Sequence, residues 1–373
     1  MQGKVTVVLD SQAGSCGKGK FVGYLAQKDG PSVAINNFMS NAGHTYVDDI
    51  HGKVMTQHLP TSLVNPNTGL YIGPGAAITP EILFGEILKY RDILAGRQVF
   101  INPRAMVIKP EHADREKELI RSGSTFKGCG VAQATKIVRV PGTQLFGDWF
   151  KNVYWGAGYS ADDINYLIDT IVVEDSMSII NTMIDCGEDI MIEGSQGCDL
   201  DINYGLPYPH TTSRQCHAGQ LVADCGISPR LVTDIIMIMR PYPIRISNTT
   251  NIGLEISSGD YEDSPEITWD EVKARCGAPA EVEFGEMTTV TKKMRRVFEM
   301  NWDRLKYVTQ LNRPTQIALN FAQYLDWGAL GVTKWNDLPV KVREFVVKVE
   351  RETGVPVTLI GTGAGNAEIV DRR

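Results

Sequence analysis

Glycine, lysine and hydroxyl residues crowd into the stretch Ser11-Gln12-Ala13-Gly14-Ser15-Cys16-Gly17-Lys18-Gly19-Lys20, a composition suited to binding phosphate. Glycines let a backbone approach a ligand closely, the N–H groups of a first helical turn attract anions, and Lys18 and Lys20 add positive charge at the same place. Gly14 and Gly19-Lys20 have the Walker A spacing, but Phe21 stands where a Ser or Thr hydroxyl would hold magnesium, so this is not an ordinary P-loop. Alone, such a loop is equally consistent with a tight strand-to-helix connection. A second cluster, Asn36 to Thr45, places Asn41, Gly43 and His44 together, although a lone loop histidine is more often a satisfied or surface one. In Glu193-Gly194-Ser195-Gln196-Gly197, the Gln196 amide can donate and accept hydrogen bonds, as reading a base edge requires. The run Thr288 to Arg296 combines hydroxyls with four cations; it reads either as a solvated basic face or as a clamp for carboxylate or phosphate. Ser122 to Gly130, followed by Lys136 and Arg139, is suited to a second phosphate or is simply a solvated loop.

The elements that must position these clusters are short apolar runs: Val5 to Leu9, Ser32 to Ile35, Ile190 to Ile192, Leu231 to Met239, Gln316 to Leu319 and Val355 to Ile360. Such runs fit buried strands, and polar loops directly after them lie where open α/β sheets bind ligands. Helices are expected from about Gly17 to Gln27, from Thr79 to about Tyr90 and from Val340 to Glu350. A further long helix starts at Ser160, with Ile164, Leu167, Ile168, Ile171 and Val172 on one face and Gly187 as its stop. No repeat, low-complexity tract or linker divides the chain, so the expected fold is one large α/β domain over residues 1–373 with a mostly parallel central sheet.

Composition narrows the partners. The chain has 373 residues, 43% of them hydrophobic, enough for a substantial core. A formal charge of −7 argues against a nonspecific nucleic-acid or membrane-surface binder and leaves local basic clusters for a small anionic substrate. Seven cysteines with no C-x-x-C pair and no metal-finger spacing suggest reduced thiols. The start of the sequence does not read as a signal peptide, and the apolar run Ile235 to Met239 is too short to span a bilayer, so the expected location is cytoplasmic.

Taken together, the loops resemble those of adenylosuccinate synthetases along almost the whole chain. The family's phosphate loop, Gly-Asp-Glu-Gly-Lys-Gly-Lys, aligns with Gly14 to Lys20, and its Asn-Ala-Gly-His-Thr is present unchanged at Asn41 to Thr45. Gln57-His58-Leu59-Pro60, Glu193 to Gly197, Leu200-Asp201-Ile202, the Thr-rich loop with Arg295, and Thr353 to Pro356 before Gly361-Thr362-Gly363 follow in the family's order. The resemblance implies a ligase that phosphorylates the 6-oxo group of a purine nucleotide and then displaces phosphate with the amine of L-aspartate. By resemblance, Gly17, Lys18, Gly19 and Lys20 bind the triphosphate with Gly43, His44 and Thr45. His44 is the general acid, Lys18 supports phosphoryl transfer, and Gln196 reads the purine. Asn41, Ser124, Thr125, Lys136, Arg139 and Thr211 bind the substrate nucleotide, Arg139 reaching across a homodimer interface. Thr288, Thr289, Val290, Thr291, Lys293 and Arg295 hold the aspartate carboxylates. Mg2+ is the implied metal, with Ser15 and Gly43 at its ligand positions, and Ser15 is also placed by the resemblance among the catalytic and nucleotide-binding residues.

Two departures sharpen the expectation. Ser15 stands where the family has an aspartate that takes the purine N1 proton and helps hold magnesium. A serine hydroxyl is not ionised near pH 7 and cannot replace that base without an activating partner. Serine is also smaller, leaving room for a 2-amino group, so the resemblance is to the phage-type branch of the family. That branch converts dGMP, aspartate and ATP to 2-amino-2'-deoxyadenylosuccinate, a precursor of diaminopurine DNA, and implies a host-cytoplasmic setting. Phe321-Ala322-Gln323 aligns with the family's guanine-reading Lys-Leu-Asp; Gln323 there favours ATP or dATP over GTP, with Gly361 and Gly363 packing around the donor base. Two alternatives stay open: an ordinary synthetase using IMP and GTP with another base such as Asp10, and a non-catalytic nucleotide-binding homologue.

Overall fold

All four aliphatic side chains of the strand Val5–Asp10 are buried, as befits a parallel strand covered on both faces. In the computed structural model, which describes residues 2–119, 124–153, 155, 158–251, 254–261, 263–287 and 294–373, this strand lies inside a ten-stranded sheet. The order across the sheet is Ile369–Asp371, Val357–Gly361, Gln316–Leu319, Val232–Met239, Val5–Asp10, Ile190–Gly197, Val33–Asn36, Gly69–Ile72, Val99–Ile101 and Ile171–Val173. Every pairing is parallel except that of the last strand, Ile369–Asp371, which turns back antiparallel on Val357–Gly361. Asp10 is in register with Gly197 on one side and Ile238 on the other. The loops after three central strands therefore open at one edge, where α/β sheets carry ligands.

Val5, Val7 and Leu9 pack with Ile192, Met237, Val342 and Val346 on one face of the sheet, whereas Val8 packs with Phe21, Val22 and Leu25 on the other. Phe21, which takes the place of a P-loop hydroxyl, is thus a core residue of the helix Lys18–Asp29. That helix starts at Gly17, whose φ of 96° favours glycine. Gly19 is required by proximity: a Cβ there would lie 2.6 Å from the Thr45 carbonyl oxygen.

The expected helix from Ser160 to Gly187 is instead three elements. Ser160 does cap the helix Ala161–Thr170, its hydroxyl accepting from the Asp163 N–H. The chain then becomes the edge strand Ile171–Val173, and a second helix occupies Met177–Asp185. Three successive β-branched residues favour extended backbone once a neighbouring strand, Val99–Ile101, offers its hydrogen bonds. The terminal strand Ile369–Asp371 was not foreseen, and the strand before it spans Val357–Gly361. All seven cysteines are free and six are buried. Among the described residues no helix is long and apolar enough to cross a membrane.

Candidate functional site

The phosphate loop leaves Val5–Asp10 through a run of left-handed residues, Gly14 (φ 84°), Ser15 (φ 55°) and Gly17. Its two lysines point to different neighbours. Lys18 Nζ donates to Asp10 Oδ2 at 2.6 Å and to the Gln196 carbonyl at 2.6 Å, tying the first strand to the end of the strand Ile190–Gly197. Lys20 Nζ donates to the carbonyls of Gly363 (2.7 Å) and Glu368 (2.8 Å), joining the same loop to the C-terminal glycine loop. Burial pushes the Lys20 ammonium down to about 7, with Glu368 partly opposing the shift. Asp10 is fully buried; besides Lys18 it receives the Cys16 N–H at 3.4 Å, and its Oδ1 has no hydrogen-bond partner.

His44 opens the short strand His44–Asp48 and is buried against the Phe38 ring, centroids 4.2 Å apart. Its Nδ1 lies 2.6 Å from Glu193 Oε1. Glu193 is also buried, and accepts from the Thr61 N–H and hydroxyl, both at 2.8 Å. A carboxylate on Nδ1 fixes the ring orientation and leaves Nε2 to act on a ligand. Three residues further along the same strand, Gln196 adopts φ 62°, and its Nε2 donates to Asn41 Oδ1 at 3.1 Å. Lys18, Asn41, His44 and Gln196 are thus joined through direct bonds and one shared strand, with Gly43 and Thr45 flanking the histidine.

Ser15 is held from the opposite side. Arg295 Nη1 donates to Ser15 Oγ at 2.6 Å and Arg240 Nη1 to the Ser15 carbonyl at 3.1 Å. Glu286 pairs with Arg240 and lies 4.0 Å from Arg295. Burial lowers the Arg295 guanidinium below its ordinary range while Glu286 opposes that shift. Beyond the arginines, the turn Ala322–Tyr324 buries Gln323, whose Oε1 has no partner; Asn320 Oδ1 is likewise unpartnered, while Asn320 Nδ2 holds the Cys16 carbonyl at 3.0 Å. Asn320 Oδ1 lies against Gly361, and unpaired buried acceptors such as these suit a donor such as an exocyclic amine.

Thr288, Thr289, Val290, Thr291 and Lys293 lie outside the described residues. The second loop is farther out in the hydrogen-bond network. Ser124 Oγ accepts from Phe126 N at 3.1 Å, Thr125 is half-buried, and Lys136 Nζ donates to the carbonyls of Pro74 (2.9 Å) and Arg104 (2.6 Å). Arg139 is exposed with φ 56°, and Thr211 is half-buried next to Thr212, whose N–H donates to Leu200. Among the described residues, no hydrogen bond links these five to the Lys18, His44 and Gln196 group. Sequence reasoning missed Glu193, Arg240 and Glu286 as site residues. Glu193, in the same strand as Gln196 and three residues before it, carried a positional signal; the two members of the Arg240–Glu286 pair are 46 positions apart and carried none.

No cluster of three His, Cys, Asp or Glu side chains able to hold a metal occurs among the described residues. The Ser15 hydroxyl already faces the Arg295 cation, which makes it a poor magnesium ligand.

The sequence matches the family described as Adenylosuccinate synthetase over residues 7–155 and 157–329. It is 34% identical over 332 residues to the N6-succino-2-amino-2'-deoxyadenylate synthase of Salmonella phage PMBT28, covering 87% of this chain and 86% of that one. It is 31% identical over 373 residues to the adenylosuccinate synthetase of Thermococcus onnurineus, covering 98% of each. In three dimensions it resembles the cyanophage S-2L succinoaminodeoxyadenylate synthetase bound to dGMP and dATP as an energy donor (TM-score 0.81, 29% identity, 100% of this chain and 96% of that one). The Plasmodium falciparum adenylosuccinate synthetase shares the fold, with a TM-score of 0.79 at 19% identity and full coverage of both chains.

Proposed function

The chain belongs to the adenylosuccinate synthetase family and is therefore a ligase that forms a carbon–nitrogen bond; from that premise we propose that it joins L-aspartate to C6 of dGMP. The products are 2-amino-2'-deoxyadenylosuccinate, phosphate and the nucleoside diphosphate of the donor, which is ATP or dATP. The observation that carries this reading is Ser15, a small neutral residue in the phosphate loop whose hydroxyl is held at 2.6 Å by Arg295, where the family resemblance puts a carboxylate. A neutral side chain tucked toward an arginine leaves space and hydrogen-bonding capacity beside a purine C2 that bears an amine. The names of the phage relatives, and the dGMP and dATP bound by the cyanophage enzyme, support it.

In this reading the purine N1–H gives its proton to solvent as the 6-oxo oxygen attacks the γ-phosphorus and the bond to the β–γ bridging oxygen breaks, releasing the nucleoside diphosphate. The neutral aspartate amine then attacks C6, phosphate leaves with the electrons of the C6–O bond, and the amine proton passes to solvent. His44, oriented by Glu193, presents Nε2–H to the oxygen that is phosphorylated. Gln196 hydrogen-bonds the purine edge; Lys18 fixes the Gln196 backbone and adds positive charge. Gln323 reads adenine, its Oε1 accepting from N6–H as an amide does in bidentate adenine recognition. Magnesium would be held by the Gly43 carbonyl, by the family resemblance, together with the ligand phosphates, whereas Ser15, facing Arg295, is poorly placed for it. When bound, magnesium supplies neutralisation of the phosphate charge.

The test is phosphate release dependent on aspartate and magnesium, comparing dGMP with IMP and with ATP, dATP and GTP as donors, the product identified by mass. Turnover of dGMP is expected; turnover of IMP alone sinks the proposal. A second reading, an ordinary synthetase with Asp10 as base, is favoured by the unpartnered Asp10 Oδ1 and predicts that outcome. Ser15→Asp places a carboxylate against the nucleotide and is expected to lower kcat/KM for dGMP by roughly 10- to 200-fold relative to IMP. An unchanged dGMP to IMP ratio would count against the steric argument.

A further inference from the structure

Glu286 sits where three loops meet. Its carboxylate pairs with Arg240, whose Nη1 donates to Oε2 at 3.0 Å, lies 4.0 Å from Arg295 Nε, and is within hydrogen-bonding reach of the Tyr324 hydroxyl. Burial alone would raise the Glu286 carboxyl, but Arg240 and Arg295 outweigh it and hold the group below its ordinary range. Arg240 is fully buried and carries the connection further: it donates to the Ser15 carbonyl at 3.1 Å and lies over the Phe321 ring, 4.3 Å from its centroid. Phe321 in turn stacks on Tyr324 with centroids 5.3 Å apart, bracketing Gln323. Arg295 is fixed through its backbone as well, its N–H donating to the Glu286 carbonyl at 2.8 Å and its carbonyl accepting from Trp269 Nε1 at 2.8 Å.

We infer that Glu286 is a positioning residue that couples the purine-nucleotide side of the site to the donor-base side, because one carboxylate sets both arginines on Ser15 and also the turn that carries Gln323. The inference rests on the roles proposed above for Ser15 and Gln323. A fully buried guanidinium needs a counter-charge, so Arg240 cannot keep both its Ser15 and its Phe321 contacts once Glu286 is neutral. A nucleotide that orders Ser15 therefore orders the donor turn through Arg240 and Glu286. By linkage the effect is reciprocal: each ligand tightens the other by the same factor.

The experiment measures, by titration calorimetry on the full chain with magnesium, the affinity for dGMP with and without saturating non-hydrolysable ATP analogue, and the reverse. The expected mutual tightening is about fivefold or more in the unmodified protein. In Glu286→Gln it falls below about twofold, and Glu286→Asp, which retains the charge, restores part of it. A residue that only stabilised the fold would weaken both affinities and leave their ratio intact. If Glu286→Gln fails to fold, Phe321→Leu, which cuts the donor arm without baring a buried charge, is expected to reduce the coupling in its place. Wild-type coupling in Glu286→Gln, or in Phe321→Leu where the former does not fold, or both ligands binding the unmodified protein independently, overturns the inference and leaves the dGMP reading standing. Binding of IMP in preference to dGMP removes that reading instead, and the coupling is then measured with IMP.

Discussion

His44 and Glu193 make the sharpest case at the scale of single residues. The imidazole is buried, its Nδ1 is occupied by a carboxylate at 2.6 Å, and that carboxylate is held by Thr61, so only Nε2 is available for chemistry. His44→Ala is expected to lower kcat by about 10²- to 10⁴-fold, the range for a lost general acid. Glu193→Gln keeps the hydrogen bond but removes the charge, and should cost about 10- to 100-fold. Single-turnover phosphate release is the measurement for both: losses in KM with kcat preserved would make the pair a binding device and not an acid. The type and spacing of His44 were legible because they sit in one contiguous motif. Glu193 was legible only as part of a motif, since its partner is 149 positions away in sequence.

At the scale of elements, the start of the helix Lys18–Asp29 is fastened to the loop after Val357–Gly361 through Lys20, and this gives a pH dependence. The ammonium ordinarily titrates near 10.5 and is pushed to about 7 here. Between those values the unfolded chain binds the more protons, so this group makes the ligand-free protein gain stability as pH rises from about 7 toward 10.5. Binding a triphosphate favours the charged form, so binding takes up a proton and ATP affinity falls as pH rises above about 7. The slope should approach a factor of about 10 per pH unit. Lys20→Arg, charged throughout, should flatten the profile; an equal slope in that variant would exclude Lys20 as its source. Six strands of the central sheet and four helices were readable from apolar runs and stripes, whereas Gly69–Ile72, Val99–Ile101 and Ile369–Asp371 are too short to stand out, and Ile171 and Val172 also fit a helical face. Both periods fit those few residues, and the edge offered by Val99–Ile101 decided for a strand.

For the whole molecule, the question is whether one chain completes the site. Arg139 is exposed among Ile137, Val138 and Val140, which are 74%, 65% and 43% exposed, an apolar patch around a cation that has no ion pair among the described residues. Such a patch suits the homodimer that the family resemblance implies, with Arg139 proposed to reach the partner's nucleotide phosphate. Sedimentation is expected to give a dimer, and Val138→Glu a monomer with reduced activity. Arg139→Ala should raise KM for dGMP by roughly 10-fold or more while leaving the dimer intact, given that charge-assisted contacts contribute about 1.5–3 kcal/mol. Mixing Arg139→Ala with His44→Ala chains is the decisive measurement: partial recovery of activity requires a shared site, and none would confine Arg139 to its own subunit.

The sequence by itself determined the α/β class, the phosphate loop and its missing carboxylate at Ser15, and the His44 and Gln196 motifs, because each is encoded in a short contiguous run whose chemistry does not depend on distant residues. Only the tertiary structure decided that Lys18 holds the Gln196 carbonyl, that Lys20 holds the C-terminal loop, and that Glu286 ties Arg240 and Arg295 to Ser15. The physical reason is that buried charges must find partners across the parallel sheet, whose order sets residues hundreds of positions apart side by side.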